Sequence, residues 1–281
     1  MLTVPRVTPL PYLRCLYPLI LLLSALSGRA APAPDLPTAW NDIADSKAKL
    51  ALVKLGRADT SDRAVQLARA TASLDDQPVS DGDLRRAEAT FAQLAQGHDE
   101  LAEQAAYLQA RVWQIHLAQP DYARAAELYR ALAERNPRSH WAQLGLVKLA
   151  LVQLYALPDP ADPAARLAGA AALLSRVTEP TLQRDLQLQL GQAGIFYKQP
   201  LPSIIAHLVA ADRIGGTPGA AGEDLILQIG ELSLRAGDYA TSRAYFERYL
   251  RDYEVNPRCF TVKEKLQQIA AHEAAAKGGR P

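Results

Sequence analysis

"GDYATSRAYFERYL", Gly237 to Leu250, sets a turn signal in front of an amphipathic helix that carries Tyr239, Ser242, Phe246 and Tyr249 in line. Gly-Asp ahead of a periodic apolar run marks the stop of one helix and the start of the next. Ser242 and Phe246 are four apart, so they share a face one turn from each other. The small residue lets a neighbouring helix approach closely, and the aromatic fills the space between the two. "PDYARAAELYRAL", Pro120 to Leu132, follows nearly the same recipe. With Asp121-Tyr122 laid on Asp238-Tyr239, Ala125 falls on Ser242, Tyr129 on Phe246 and Leu132 on Tyr249. Ahead of the turn, Val112 falls on Ile229. "GDLRRAEATFAQL" places Gly82, Asp83, Leu84, Ala87, Phe91 and Leu94 on the same frame.

Outward from these stretches the chain keeps one rhythm. Alanine and leucine dominate, no segment alternates as a strand does, and apolar residues recur at steps of three and four. The reading is all-α, with about twelve helices. It includes single helices over Thr38–Gly56, Asp99–Leu117, Ser139–Leu157 and Thr181–Tyr197, and a last one over Thr261–Ala275. Separators such as "LPDPADP", "VTEP", "YKQPLP" and "GGTPGAAG" combine Pro with Gly, Asp or other breakers. Helices of this length joined by short connections fold back antiparallel.

The repeated frame resembles the tetratricopeptide repeat, a helix–turn–helix unit of about 34 residues. In the last full copy, Gly230 stands at the glycine of the first helix, Gly237, Asp238 and Tyr239 form the turn, and Ser242 and Phe246 take the small and aromatic positions. In the copy ending "ALAERNPRSHW", Pro137 falls at the closing proline, while Trp113 replaces the first-helix glycine. "LQLQLGQAGIFYKQPLPSIIAHLVAA" keeps Leu190 and Gly191 but carries His207 in place of the aromatic. The resemblance covers roughly Asp83 to Pro257. It implies a right-handed α-solenoid of about five stacked antiparallel helix pairs with an extended concave face. "AAELYRALAERNPRSHWAQLGLVKLALVQLY" and "GDYATSRAYFERYLRDYEVNPRCFTVKEKLQQI" are further similar to the repeats of periplasmic outer-membrane assembly lipoproteins and of the Tol-Pal-associated periplasmic coordinator. The lipidation cysteine of the former is absent, which argues against a membrane tether.

The ends set the compartment. Residues 1–30 contain Arg6, Arg14 and Arg29, no acid, and an apolar run from Leu16 to Leu26 followed by "SGRAAPAP". A basic start, a short apolar middle and a small-x-small exit are the parts of a secretory signal peptide, with cleavage after Ala30. The run is too short for a spanning helix, which needs about 20 apolar residues. Membrane contact is therefore expected only through this segment, should it stay uncleaved. Residues 31–80 read as a degenerate helical pair, 81–258 as repeats, 259–276 as a capping helix and 277–281 as a disordered tail. The expected location is the bacterial periplasm or outside the cell. Without the leader, 28 basic side chains face 30 acidic ones, a net charge of −2. That balance points away from a nucleic-acid surface. Cys259 is then the lone thiol and reads as a half-buried apolar residue.

Motifs for chemistry are missing. His98, His116, His140, His207 and His272 are scattered, with no HExxH, CxxC or paired-His spacing, so no metal is expected. There is no GxSxG and no GxxxxGK[ST]. "GGTPGAAGED" follows a helix rather than a strand, lacks the lysine and ends on Glu223 and Asp224, so it reads as a linker. Asp75-Asp76 and Glu223-Asp224 sit at a loop and a helix start, where solvated carboxylates are ordinary. The chain therefore reads as a non-enzyme without cofactor, a scaffold binding a protein or peptide. A structural or regulatory subunit of an envelope enzyme complex is the alternative, and an undetected hydrolase a remoter one.

In the family the chain resembles, the first helix of each pair lines the concave face. Carried over, the groove positions are Tyr107 and Gln114, then Trp141 and Lys148, then Gln192 and Phe196, then Asp224, Leu227, Glu231 and Arg235. Rigid aromatics that anchor and polar groups that orient suit a peptide. Trp141 and Phe196 either serve this groove or pack against the next repeat. The lysine–asparagine clamp that some members close on a C-terminal carboxylate is absent.

Overall fold

The computed structural model describes residues 35–56, 61–217 and 219–278, with side chains as far as residue 275. The expected signal segment lies outside the described residues, as do residues 279–281 of the expected tail, whose first two residues continue the last helix. The described residues are all-helical, with no strand. The α-helices are α1 (Leu36–Ala44), α2 (Ala48–Leu55), α3 (Arg63–Ser73), α4 (Asp81–Leu94), α5 (Glu100–Arg111), α6 (Tyr122–Arg135) and α7 (His140–Tyr155). They continue as α8 (Pro163–Ala171), α9 (Pro180–Phe196), α10 (Leu201–Ile214), α11 (Gly219–Ala236), α12 (Tyr239–Asp252) and α13 (Cys259–Gly278).

Short polar residues start most of them. Asp238 accepts from the Thr241 N–H at 3.0 Å, and Asp121 from the Arg124 N–H at 2.9 Å. Asp99, Asp162 and Ser139 cap α5, α8 and α7 in the same way. Ser80 and Asp83 form a reciprocal capping box on α4. Each cap satisfies one of the orphan N–H groups that a helix leaves at its start.

Two expected helices are interrupted. The segment Thr38–Gly56 is not one helix but α1 and α2. Its apolar period runs through without a break, but Ser46 adopts φ 58° and the Lys47 N–H turns back to the Asp42 carbonyl at 2.7 Å. The reversal places Lys54 against the nearly buried Asp42 at 2.5 Å. The segment Asp99–Leu117 runs as α5 and then widens into a π-turn over Val112–His116. Here the Leu117 N–H reaches the Val112 carbonyl at 3.3 Å, and the Trp113 carbonyl takes the Asp121 N–H at 2.9 Å. The extra residue per turn changes no apolar step that could have been seen in the sequence.

Each helix packs on its neighbours in the chain. In addition, α1, α3, α5, α7 and α9 each touch the next of that odd-numbered series, while no two even-numbered helices share comparable contact. The core is correspondingly a row of clusters. One joins α1–α3 around Ala51, Leu55 and Val65, and another joins α3–α5 around Phe91 and Val112. The largest spans α5–α9, with Tyr129, Leu146 and Leu186. Two more follow, around Leu208 and Ile229 and then around Phe246, Tyr249 and Ile269. The central helix α7 is buried nearly all round, which explains its unbroken "LGLVKLALVQL".

The opening stretch is the clearest joint. Ser242, Phe246 and Tyr249 are buried, and Tyr239 stacks on His272 of α13 with ring centres 5.2 Å apart. Ser242 Oγ donates to the Gly230 carbonyl at 2.8 Å. A Cβ on Gly230 would lie 2.6 Å from Phe246 Cε1, so the ring occupies the space that only glycine leaves. A Cβ on Gly191 would likewise lie 2.5 Å from Leu208 Cδ2, and one on Gly145 3.2 Å from Tyr129 Cδ1, a looser fit.

Truncating the fully buried ring in Phe246→Ala is expected to cost about 3–5 kcal/mol in urea unfolding. Gly230→Ala, which pushes a methyl into that ring, is expected to cost about 1–3 kcal/mol by the same measurement. Losses below about 0.5 kcal/mol, the range of surface changes, would contradict this joint.

Candidate functional site

The residues singled out for a groove all lie on α5, α7, α9 and α11 or, for Gln114, on the π-turn that continues α5. Their environments differ. Tyr107 is only 8% exposed and Gln114 only 4%, so both side chains are largely withdrawn from water. Gln114 Oε1 accepts from the Tyr129 hydroxyl at 2.7 Å and from Arg111 Nη1 at 2.8 Å. The Tyr107 ring packs between Tyr129, at 6.1 Å, and Trp141 of α7, at 5.5 Å. Burial raises the hydroxyl pKa of both tyrosines, with Arg111 pulling the other way. Tyr107, Trp141, Gln114 and Arg111 are thus brought together where α5 meets α7.

Trp141 is half-buried and also meets His140 edge-on at 5.4 Å. Its indole N–H is buried and has no acceptor among the described residues. Lys148, two turns on and on the same face, is half-buried. Desolvation, and then the charge of Arg111, push its amine below the ordinary lysine range, while Asp185 of α9 acts the other way.

Further along, Gln192 is exposed and donates to Gln228 of α11 at 3.1 Å, tying α9 to α11. Phe196 is 66% exposed. It is not isolated, because Tyr155 at the end of α7 meets it edge-on at 5.6 Å and Tyr197 at 4.9 Å. Tyr197 anchors this trio by donating its hydroxyl to the Leu154 carbonyl.

Asp224, Leu227 and Glu231 form a separate group. With Arg258, Val262 and Lys265 they line a cleft of about 400 Å³ between α11 and α13. Its charges are matched internally. Arg258 pairs with Asp224 at 2.6 Å and with Glu223 at 3.2 Å, and Lys265 pairs with Glu231 at 3.3 Å. Arg235 lies exposed one turn on and belongs to none of these contacts.

One polar residue sets the spacing of α7 and α9. The side-chain oxygen Oε1 of the buried Gln143 accepts from the Thr178 N–H at 2.6 Å, the Thr178 hydroxyl at 3.1 Å and the Glu179 N–H at 2.9 Å. It thereby holds the entry of α9 against the first turn of α7. The residues that sequence reasoning missed, Arg111, Tyr155 and Asp185, carry only a weak local signal. Arg111 lies four after Tyr107 on the same face, but its neighbours on α7 are long-range.

Among the described residues no group of three or more His, Cys, Asp or Glu side chains converges to hold a metal. No described helix is long and apolar enough to cross a membrane. Cys259 is buried, with Sγ 3.1 Å from the Tyr253 carbonyl. Comparison with known proteins finds no family model that matches the chain and no match among curated proteins.

Gln143→Ala leaves the Thr178 and Glu179 N–H groups without this acceptor. It is expected to cost about 1–3 kcal/mol in chemical denaturation. A loss below about 0.5 kcal/mol would mean that the α7–α9 spacing does not rest on this side chain.

Proposed function

We propose that this chain is a non-catalytic protein-interaction scaffold of the bacterial cell envelope, built as a right-handed α-solenoid of tetratricopeptide-type hairpins. The observation that carries the architecture is the asymmetry of helix contacts. The odd-numbered helices touch in succession, α1 with α3, α3 with α5, α5 with α7 and α7 with α9, while no two even-numbered ones share comparable contact. Hairpins stacked with their first helices closer together curve towards that side, which yields a concave face. The row of separate core clusters fits the same reading, since each repeat in such a stack contacts only its neighbours.

The binding part rests on what remains accessible along α7 and α9. Phe196 and Tyr155 offer exposed rings, Trp141 and Lys148 are half open, and Gln192 is exposed. Tyr107 and Gln114 support this surface from beneath. An extended peptide seated there gains anchor pockets from the aromatics and orientation from the polar groups. The envelope location is supported by the basic-then-apolar start of the chain.

The test is capture of partners from a bacterial envelope extract on the immobilised protein, compared with Trp141→Ala combined with Phe196→Ala. The double variant is expected to lose the specifically bound partners while keeping the helical circular-dichroism signal. An unchanged bound set would overturn the groove.

A further inference from the structure

We infer that the chain pivots at the α10–α11 seam: α11, α12 and α13 rock as one body on α10, and the ion pair of Asp212 with Arg248 is the latch that restrains them. The pivot does not depend on what the protein binds.

From α4 to α9 the helices are held together on two sides. On one, α3, α5, α7 and α9 touch in succession. On the other, guanidinium groups tie the helix ends. Arg135 of α6 donates to the Ala95 carbonyl just beyond α4 at 2.7 Å, and Arg176, which follows α8, donates to the Ala133 carbonyl of α6 at 3.4 Å. Beyond α9 the first device stops, since α9 and α11 share no comparable helix contact. Gln192 of α9 and Gln228 of α11 are joined by an exposed hydrogen bond at 3.1 Å, for which water competes. On the other side, α10 and α12 are parted by a cleft of about 570 Å³. Ile205 and Val209 of α10 wall it on one flank, Ala244 and Tyr245 of α12 on the other.

The last three helices are carried by one buried seam, Ile204, Ile205 and Leu208 of α10 against Leu225, Ile229 and Leu232 of α11. They share a core of their own around Ile226, Phe246 and Val262, so they move together. Where the chain leaves α10, Gly215 and Gly216 take φ 78° and 72°, a region that other residues enter only with strain. Arg184 of α9 donates to both carbonyls, at 3.3 and 2.6 Å, and pins this turn to α9. The latch spans α10 and α12. Asp212 Oδ2 accepts from Arg248 Nη1 at 2.7 Å and from the Tyr245 hydroxyl at 2.8 Å. The Asp212 side chain is 12% exposed, so breaking the pair leaves a carboxylate poorly hydrated. A packed seam with a gap on either flank is the geometry of a hinge or shear motion, and low contact density marks where a protein yields. Rocking one way closes the cleft, and rocking the other way narrows the face between Gln192 and Gln228. An effect of that second movement on a bound peptide rests on the groove-binding reading.

The test is pulsed electron paramagnetic resonance between two nitroxide labels, in the full chain carrying Cys15→Ser and Cys259→Ala. One pair, on exposed Ala165 of α8 and exposed Glu247 of α12, spans the pivot. The control pair, on Ala165 and exposed Arg130 of α6, does not. The spanning pair is expected to give a distance distribution about twice as broad as the control. Asp212→Ala is expected to broaden it by a further factor of about 1.5 and to leave the control unchanged. Tyr245→Phe, which removes only the hydroxyl bonded to Asp212, is expected to broaden it less. Equal breadth of the two pairs before any latch substitution overturns the pivot. A spanning distribution that neither Asp212→Ala nor Tyr245→Phe changes overturns the latch. Should Asp212→Ala broaden both pairs, the sign of a general loss of fold, Tyr245→Phe decides. Failure of the pivot leaves the capture experiment on Trp141 and Phe196 untouched, so the two readings fail separately.

Discussion

The close approach of helices over a residue without a side chain is the constraint on which the rest of this structure depends. Phe246 lies over Gly230 so tightly that no Cβ fits between them, and Ser242 adds a buried hydrogen bond to the Gly230 carbonyl. Tyr129 against Gly145 and Leu208 against Gly191 repeat the device, with a different apolar side chain in each case. A bulky residue on one helix and glycine on its partner bring two backbones near and still fill the gap at interior density. Since the joint involves helices adjacent in the chain, it can recur along the molecule without any long-range closure.

The core follows from that. Each apolar cluster is shared by two or more consecutive helices and hands over to the next. Polar stitches mark the same seams: Gln143 between α7 and the entry of α9, Glu88 between α4 and α5, and Glu223 between the start of α11 and the end of α12. Glu223 Oε1 alone gathers the Tyr249 hydroxyl at 2.8 Å and Asn256 at 2.9 Å. Such multiply satisfied acceptors specify one relative placement of two helices, because any slip leaves several groups unpaired.

The two ends of the candidate surface behave differently for an electrostatic reason. Between α11 and α13, the carboxylates Asp224 and Glu231 meet Arg258 and Lys265, so that cleft is already neutralised from within. Between α5 and α7, Arg111 is held by the neutral Gln114 at 2.8 Å, and Lys148 of α7 stays half-buried. A surface already closed by its own ion pairs offers a charged ligand little.

Much of the helical layout was legible in the sequence, since period, caps and breakers are local. The starts at Asp121 and Asp238 and the shared face of Ser242, Phe246 and Tyr249 follow from spacing alone. The break at Ser46 and the π-turn over Val112–His116 were not legible, because neither disturbs the apolar steps around it. The family resemblance, not spacing alone, singled out Tyr107, Gln114, Trp141 and Lys148. Only the tertiary structure decided that Tyr107 and Gln114 are buried, that Arg111 bonds Gln114, and that Trp141 and Lys148 stay half open. A helix period determines the direction a side chain takes. Whether that direction leads to water, to an opposite charge or to a like one depends on helices that lie tens of residues away in the chain.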